Sequence, residues 1–144
     1  MASPNLTHIA LHVEDLDQSV AFYCNFAGMR EIHRRDDKET NQQTAWVTTD
    51  AEWAPIHFVM VLLCGAPTLF GGARPQAPIG PVSHLGFAVD SRAEVDMIAQ
   101  KAEALGILRR PPEYVNEVVN YICFVSDPDG HSVEFSYGQE LGAH

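Results

Sequence analysis

The chain is short of basic residues, of cysteine and of long apolar runs. Nine Lys and Arg stand against nineteen Asp and Glu, a formal net charge of −10. Such an acidic balance disfavours contact with phosphate backbones and anionic bilayers, so neither nucleic acid nor a membrane is expected as a partner. No apolar run approaches the roughly 20 residues a bilayer span needs. The opening Met1-Ala2-Ser3-Pro4-Asn5 has neither a basic region nor an apolar core, and predicts no secretory leader. Cys24, Cys64 and Cys123 lie far apart with no CxxC pair. Isolated thiols in odd number fit a reducing cytoplasm better than a disulfide or zinc framework. A cytoplasmic protein is expected, of one domain or two small modules sharing a core.

What is present is a repeat. Thr7-His8-Ile9-Ala10-Leu11-His12-Val13 returns as Ser83-His84-Leu85-Gly86-Phe87-Ala88-Val89, with His8 and His84 76 positions apart. A unit of that length, used twice, predicts two βαβββ-sized modules rather than a repeat array. In an extended strand alternate side chains share a face. Ile9, Leu11 and Val13 then form one bulky apolar face, and Leu85, Phe87 and Val89 form the other. The opposite faces, with His8, Ala10 and His12 and with His84, Gly86 and Ala88, are small and carry histidine near their start. That pattern suits a cavity wall; the plain alternative is a sheet face that happens to hold a histidine.

Between the copies the chain alternates strand and helix patterns. Asp15 or Asp17 caps a helix carrying Leu16, Val20, Tyr23 and Ala27, and Gly28 stops it. Strands are expected at 29–35, 44–49 and 56–63, separated by a polar turn at 36–43 and another at 50–55. Residues 64–81 hold four Gly and four Pro and read as a seam. Ser91-Arg92-Ala93-Glu94 is a capping box, and Val95, Ile98, Ala102 and Leu105 give the second helix its face. A short strand at 107–110 is broken by Pro111-Pro112. A β-rich run follows at 118–125, then the turn Asp127-Pro128-Asp129-Gly130 and a last strand at 132–137. The whole of 1–144 is thus one α+β domain: a first module at 6–64, a linker at 65–81 and a second module at 82–137.

Glu134 is the most informative acid. Flanked by Val133 and Phe135 in mid-strand, an ionised carboxylate is costly unless paired or bound to a cation. Two imidazoles, His8 and His84, with one carboxylate and open positions match the donor set of non-haem iron sites. They suit zinc or manganese with bound water equally well. His57 has two readings: a proton-shuttling imidazole near a metal, or a histidine bonded to the turn before it. His12 is expected at the far end of a cleft, and His33, His131 and His144 in solvent. Trp46, Trp53 and Phe70 are candidates for an apolar substrate wall.

The paired βαβββ modules, the Thr/Ser-His opening each and the Asp127-Pro128-Asp129-Gly130-His131-x-Val133-Glu134-Phe135 ending resemble the vicinal oxygen chelate superfamily over residues 6–137. That superfamily includes glyoxalase I, bleomycin resistance proteins, methylmalonyl-CoA epimerase, fosfomycin resistance enzymes and extradiol dioxygenases. The resemblance implies two curled mixed sheets forming a cleft, a divalent metal on His8, His84 and Glu134, and a small-molecule substrate with vicinal oxygens. It also implies a homodimer, the cleft being built within one chain or between two.

Departures from the family patterns bear on the reaction. Glyoxalase I and the epimerase add a Glu or Gln ligand from the strand closing the first module, where this chain has Val59 and no carboxylate or amide. The serine-bearing loop of fosfomycin enzymes corresponds to 112–120, which lacks serine. Three ligands resemble extradiol dioxygenases, with His57 as acid–base residue, although Phe124 stands where a Tyr is usual and Tyr121 has the opposite parity. An extradiol-type dioxygenase using Fe(II) or Mn(II) is therefore the first expectation. A glyoxalase I-like lyase or isomerase acting on a thiol adduct, with Zn(II) or Ni(II) and Glu134 as base, is the second. A metal-free drug- or metabolite-binding protein is the third.

Overall fold

Each half of the chain builds the same four-stranded sheet with one helix. The computed structural model describes residues 3–72 and 76–142. In the first half, β1 (His8–His12), α1 (Leu16–Ala27), β2 (Arg30–Asp37), β3 (Gln42–Thr48) and β4 (Val59–Gly65) follow in order. The second half repeats the plan with β5 (Leu85–Ala88), α2 (Arg92–Ala104), β6 (Leu108–Tyr114), β7 (Tyr121–Ser126) and β8 (Ser132–Tyr137). The sheet orders are β1-β4-β3-β2 and β5-β8-β7-β6. In each, the first strand pairs parallel with the last and the other pairings are antiparallel. The two sheets belong to separate compact units, the first ending at Ala77 and the second beginning at Pro78. Met1, Ala2 and His144 of the sequence reading, and Ala73-Arg74-Pro75 of its seam, lie outside the described residues.

Local chemistry accounts for both helices. Asp15 caps α1, its Oδ1 accepting the Gln18 amide at 3.0 Å, and Gly28 ends it at φ 62°. Leu16, Val20, Phe22, Tyr23 and Phe26 are buried, the 3.6-residue stripe that a sheet-packed helix needs. At α2, Ser91 Oγ accepts the Glu94 amide at 3.2 Å, and Glu94 Oε2 reaches back to the amide of Asp90. The buried face of α2 is Val95, Ala99 and Ala102; Leu105 lies 63% exposed just past the helix, because Gly106 (φ 73°) turns the chain there.

Several element boundaries differ from the periodicity, among them the start of β7, at Tyr121 and not at 118. β2 and β3 run on to Asp37 and from Gln42, so the polar stretch at 36–43 is mostly hairpin, with Asn41 at φ 53° in its turn. The closing strand starts at Val59 and not at 56, leaving Ile56 and Phe58 44% and 36% exposed. Pro111 and Pro112 do not break β6 but lie inside it. β6 is the sheet edge with two register shifts, where missing amide donors cost the ladder nothing. Among the described residues no helix is long and apolar enough to cross a membrane.

Candidate functional site

In the second unit the register brings Glu134 of β8 between Gly86 of β5 and Phe124 of β7. A Cβ added at Gly86 would meet no atom within 4 Å, so that side of the carboxylate stays open. His84, just before β5, shares the Gly86 face by strand alternation. Its Nε2 lies 3.2 Å from Glu134 Oε2. Its Nδ1 is 2.9 Å from the carbonyl oxygen of Val82, which can only accept; Nδ1 therefore carries the proton and donates. With Nδ1 donating to Val82, Nε2 is turned to the carboxylate oxygen, where a proton or a metal ion can stand between the two atoms. Glu134 is 7% exposed, and its Oε1 accepts from Gln139 Nε2 at 2.9 Å. A ring and a carboxylate each held from behind by a hydrogen-bond partner is how metal ligands are oriented. The donor set fits a divalent cation.

The edge of Phe124 packs on His84, with centroids 5.0 Å apart at 79°. Tyr121 instead donates from its hydroxyl to Asp96 Oδ1 of α2 at 2.7 Å, and that bond raises its pKa. Burial, with Asp96 and Glu134 nearby, pushes the Cys123 thiol up to about 11, which keeps it protonated and unsuited to nucleophilic work.

His131 is fully buried, contrary to the expectation of a solvent histidine. Its Nδ1 accepts the Ile79 amide at 3.0 Å and so fixes the segment leading to β5. Asp127, Asp129 and His131 bring three metal-ligating groups within 4.8 Å of one another. Asp127 Oδ1, however, accepts the amides of Asp129 and His131, both at 2.9 Å. Those bonds are the internal ties of the turn before β8.

In the first unit His8 is exposed on β1 while Leu11 and Val13 are buried, the two faces read from the alternation. His8 pairs in register with Val59, and its Nδ1 lies 3.0 Å from Thr7 Oγ1. His12 ties strand ends together: its Nε2 donates to the Gly65 carbonyl at 2.6 Å and its amide to Gln76 Oε1 at 3.3 Å. A cleft of about 310 Å³ opens beside His8, its walls including Trp46, Ile56, Phe58, Val59 and Val61. Trp46 is thus a wall residue, whereas Trp53 and Phe70, at 90% and 57% exposure, are not among its lining.

His57 shares this cleft, with a 74% exposed side chain whose Nδ1 is 3.8 Å from Asp50 Oδ1. Asp50 organises the loop: its Oδ2 accepts the amides of His57 at 2.6 Å and Phe58 at 3.2 Å. Arg30 of β2 donates to the carbonyls of Asp50 and Ala51 at 2.8 and 3.2 Å. Neither residue stands out in the sequence, since both act on backbone groups far along the chain.

The backbone donors from His57 and Phe58 hold the Asp50 carboxyl below its ordinary value of 3.8. A depressed folded-state pKa contributes stability that is present above the unfolded value and lost as pH falls through the folded one. Asp50→Ala is therefore expected to melt at lower temperature than the parent at pH 7, with the gap narrowing below pH 3.8. Thermal melts of both proteins across that range check it; a gap independent of pH would assign Asp50 a packing role only.

The two βαβββ sheets, each with its first strand parallel to its last, define a paired-module α+β fold. A family model for the Glyoxalase/Bleomycin resistance protein/Dioxygenase superfamily matches residues 5–135, and the chain belongs to that superfamily. An uncharacterized protein of Pseudomonas aeruginosa is 44% identical over 140 residues, covering 97% of this chain and 93% of that protein. The lactoylglutathione lyase of Salmonella typhimurium is 28% identical over 138 residues, 95% of each. Among solved structures, a Zea mays glyoxalase I mutant superposes with a TM-score of 0.70 at 24% identity, over 91% of this chain and 43% of that one. A fosfomycin resistance protein from Listeria monocytogenes, complexed with Mn(II), gives 0.67 at 23% identity, over 98% and 96%. These two likenesses establish the fold.

Proposed function

We propose that this protein is a metal-dependent lyase or isomerase of the glyoxalase I type, acting on the thiol adduct of a 2-oxoaldehyde. The observation that carries the reading is the apposition of His84 Nε2 and Glu134 Oε2, 3.2 Å apart, with the carboxylate nearly buried. The full-length likeness to a lactoylglutathione lyase supports the choice of reaction. Phe124 beside His84, with Tyr121 committed to Asp96, argues against extradiol cleavage as the alternative.

His8, His84 and Glu134 are the proposed protein ligands, His8 coming from the same chain or from a second copy in a homodimer. A divalent ion held there supplies Lewis-acid polarisation of two neighbouring substrate oxygens. His84 keeps its Nε2 aimed at the site by donating from Nδ1 to Val82. Glu134 takes a proton from the carbon that bears sulfur and returns it to the adjacent carbon. One C–H bond breaks and another forms while the hydroxyl proton moves from the oxygen on the sulfur-bearing carbon to the neighbouring oxygen, and the adduct becomes a 2-hydroxy thioester of the same atoms. His57, exposed in the cleft beside His8, is the proposed proton exchanger with solvent.

The test is metal analysis of protein purified without chelators, with turnover of the methylglyoxal–glutathione hemithioacetal followed by thioester absorbance. Stoichiometric divalent metal and turnover are expected. Iron with catechol-dependent oxygen uptake would replace this reading by the dioxygenase. A metal-free protein that binds a small molecule tightly would replace it by a sequestering protein.

A further inference from the structure

We infer that Gln139 is a positioning residue for Glu134: it holds Oε1 of the carboxylate, so that Oε2 alone is presented to the ion, and a clasp between Asn120 and Gly138 keeps it there. The inference rests on the proposed function only in treating Glu134 as a metal ligand. Gln139 Nε2 donates to Glu134 Oε1 at 2.9 Å, while Oε2 lies 3.2 Å from His84 Nε2. The two carboxylate oxygens therefore have different partners, on a side chain that is only 9% exposed. A glutamate free to rotate could offer either oxygen or both.

Position along the chain alone would keep Gln139 away. It follows the end of β8 at Tyr137 and stands five residues after Glu134. In a continuing strand an odd separation puts two side chains on opposite faces, here about 16 Å apart along the chain. The chain has to turn back, and it does so at Gly138, with φ 90°. That position needs glycine for its conformation and for its neighbour. A Cβ there would stand 2.5 Å from Asn120 Nδ2 and 2.6 Å from its Cγ, whereas at Gly28 and Gly106 it would meet nothing within 4 Å. The close approach lets Asn120 Nδ2 donate to the Gly138 carbonyl at 3.2 Å.

Asn120 is itself fixed. At φ 62° it closes the connection between β6 and β7, its amide donating to the Asn116 carbonyl at 2.8 Å and its own carbonyl accepting the Val115 amide at 3.0 Å. A line of bonds thus runs from that hairpin through Gly138 to Gln139 and Glu134. The chemistry of the last donor matters as well. A carboxamide is neutral, so it orients the carboxylate and leaves its charge for a cation. A lysine or arginine in its place would pair with that charge and compete with the ion. Removing outer partners of this kind changes metal affinity by about 10- to 100-fold.

The experiment strips the whole protein of metal with a chelator and titrates it with Co(II), whose visible absorption reports occupancy and coordination. Gln139→Met keeps the length of the side chain without its donor. It is expected to weaken Co(II) binding by about 10- to 100-fold and to change the shape of the visible band, while the metal-free variant stays folded. Gly138→Ala, which leaves Gln139 in the sequence, is expected to weaken binding in the same direction by displacing it. Affinity and spectrum equal to the parent's in Gln139→Met would overturn the inference. A lower melting temperature with unchanged Co(II) affinity would overturn it too, making the contact a structural tie only. Weaker binding by Gln139→Met than by a parent that does not turn over the hemithioacetal would sink the lyase reading and support the inference. A parent that binds no Co(II) would sink both.

Discussion

Protein carrying His84→Ala is expected to retain less than a tenth of the divalent metal bound by the parent after purification without chelators. Atomic emission against protein concentration measures it. The loss follows from what His84 does in the second unit. Its Nδ1 is committed to Val82, so Nε2 is the only ring atom free to meet a cation, and the facing carboxylate of Glu134 is nearly buried. With the imidazole gone, that carboxylate keeps Gln139 but has no neutral nitrogen donor beside it. Altering partners that merely orient a ligand costs 10- to 100-fold in metal affinity, by roughly the same physics, so loss of the ligand itself is expected to exceed that. The variant should still fold, because His84 lies outside the buried core. Metal occupancy equal to the parent's in a folded His84→Ala protein would refute the ligand assignment and the chemistry built on it.

Leu62→Ala is expected to cost about 2–5 kcal/mol of stability, the range for removing a buried leucine where the site cannot collapse. Leu62 is fully buried and lies in mid-sheet, in register with Leu11 on one side and Ala45 on the other. Both neighbours are backbone-fixed by the ladder, so the space left by the isobutyl group has no ready filler. Urea denaturation reads the change as a lower midpoint with an unchanged slope. A loss below about 1 kcal/mol would mean that the first sheet repacks freely, contrary to a tightly filled core.

The two experiments separate two kinds of information in the chain. Leu11, Leu62 and Phe135 lie on faces readable by alternation, and the same alternation set His8 and Ala10 opposite Leu11. The caps at Asp15 and Ser91, and the turn of Asp127 to Gly130, were legible because each is closed by bonds within four residues. The capping and turn chemistry needs no partner elsewhere.

Other features depended on residues far apart. Whether Pro111-Pro112 ends a strand depends on whether that strand is an edge, a property of the sheet and not of the dipeptide. His131 looked like a solvent histidine because it follows a polar turn; its burial is set by the Ile79 amide, 52 positions away. Arg30 of β2 and Asp50, just past the end of β3, converge on one loop, and nothing local marks them.

By itself, then, the sequence determined the duplicated strand–helix plan, the helix ends, and which side of the first strand of each module is apolar. These follow from periods of 2 and 3.6 residues and from short-range hydrogen bonds. Only the tertiary structure decided that His84 Nε2 meets Glu134 Oε2 and that valines and aromatic rings wall the cleft beside His8. Strand register joins residues some fifty positions apart, and it is fixed by the packing of whole sheets, which no local pattern encodes.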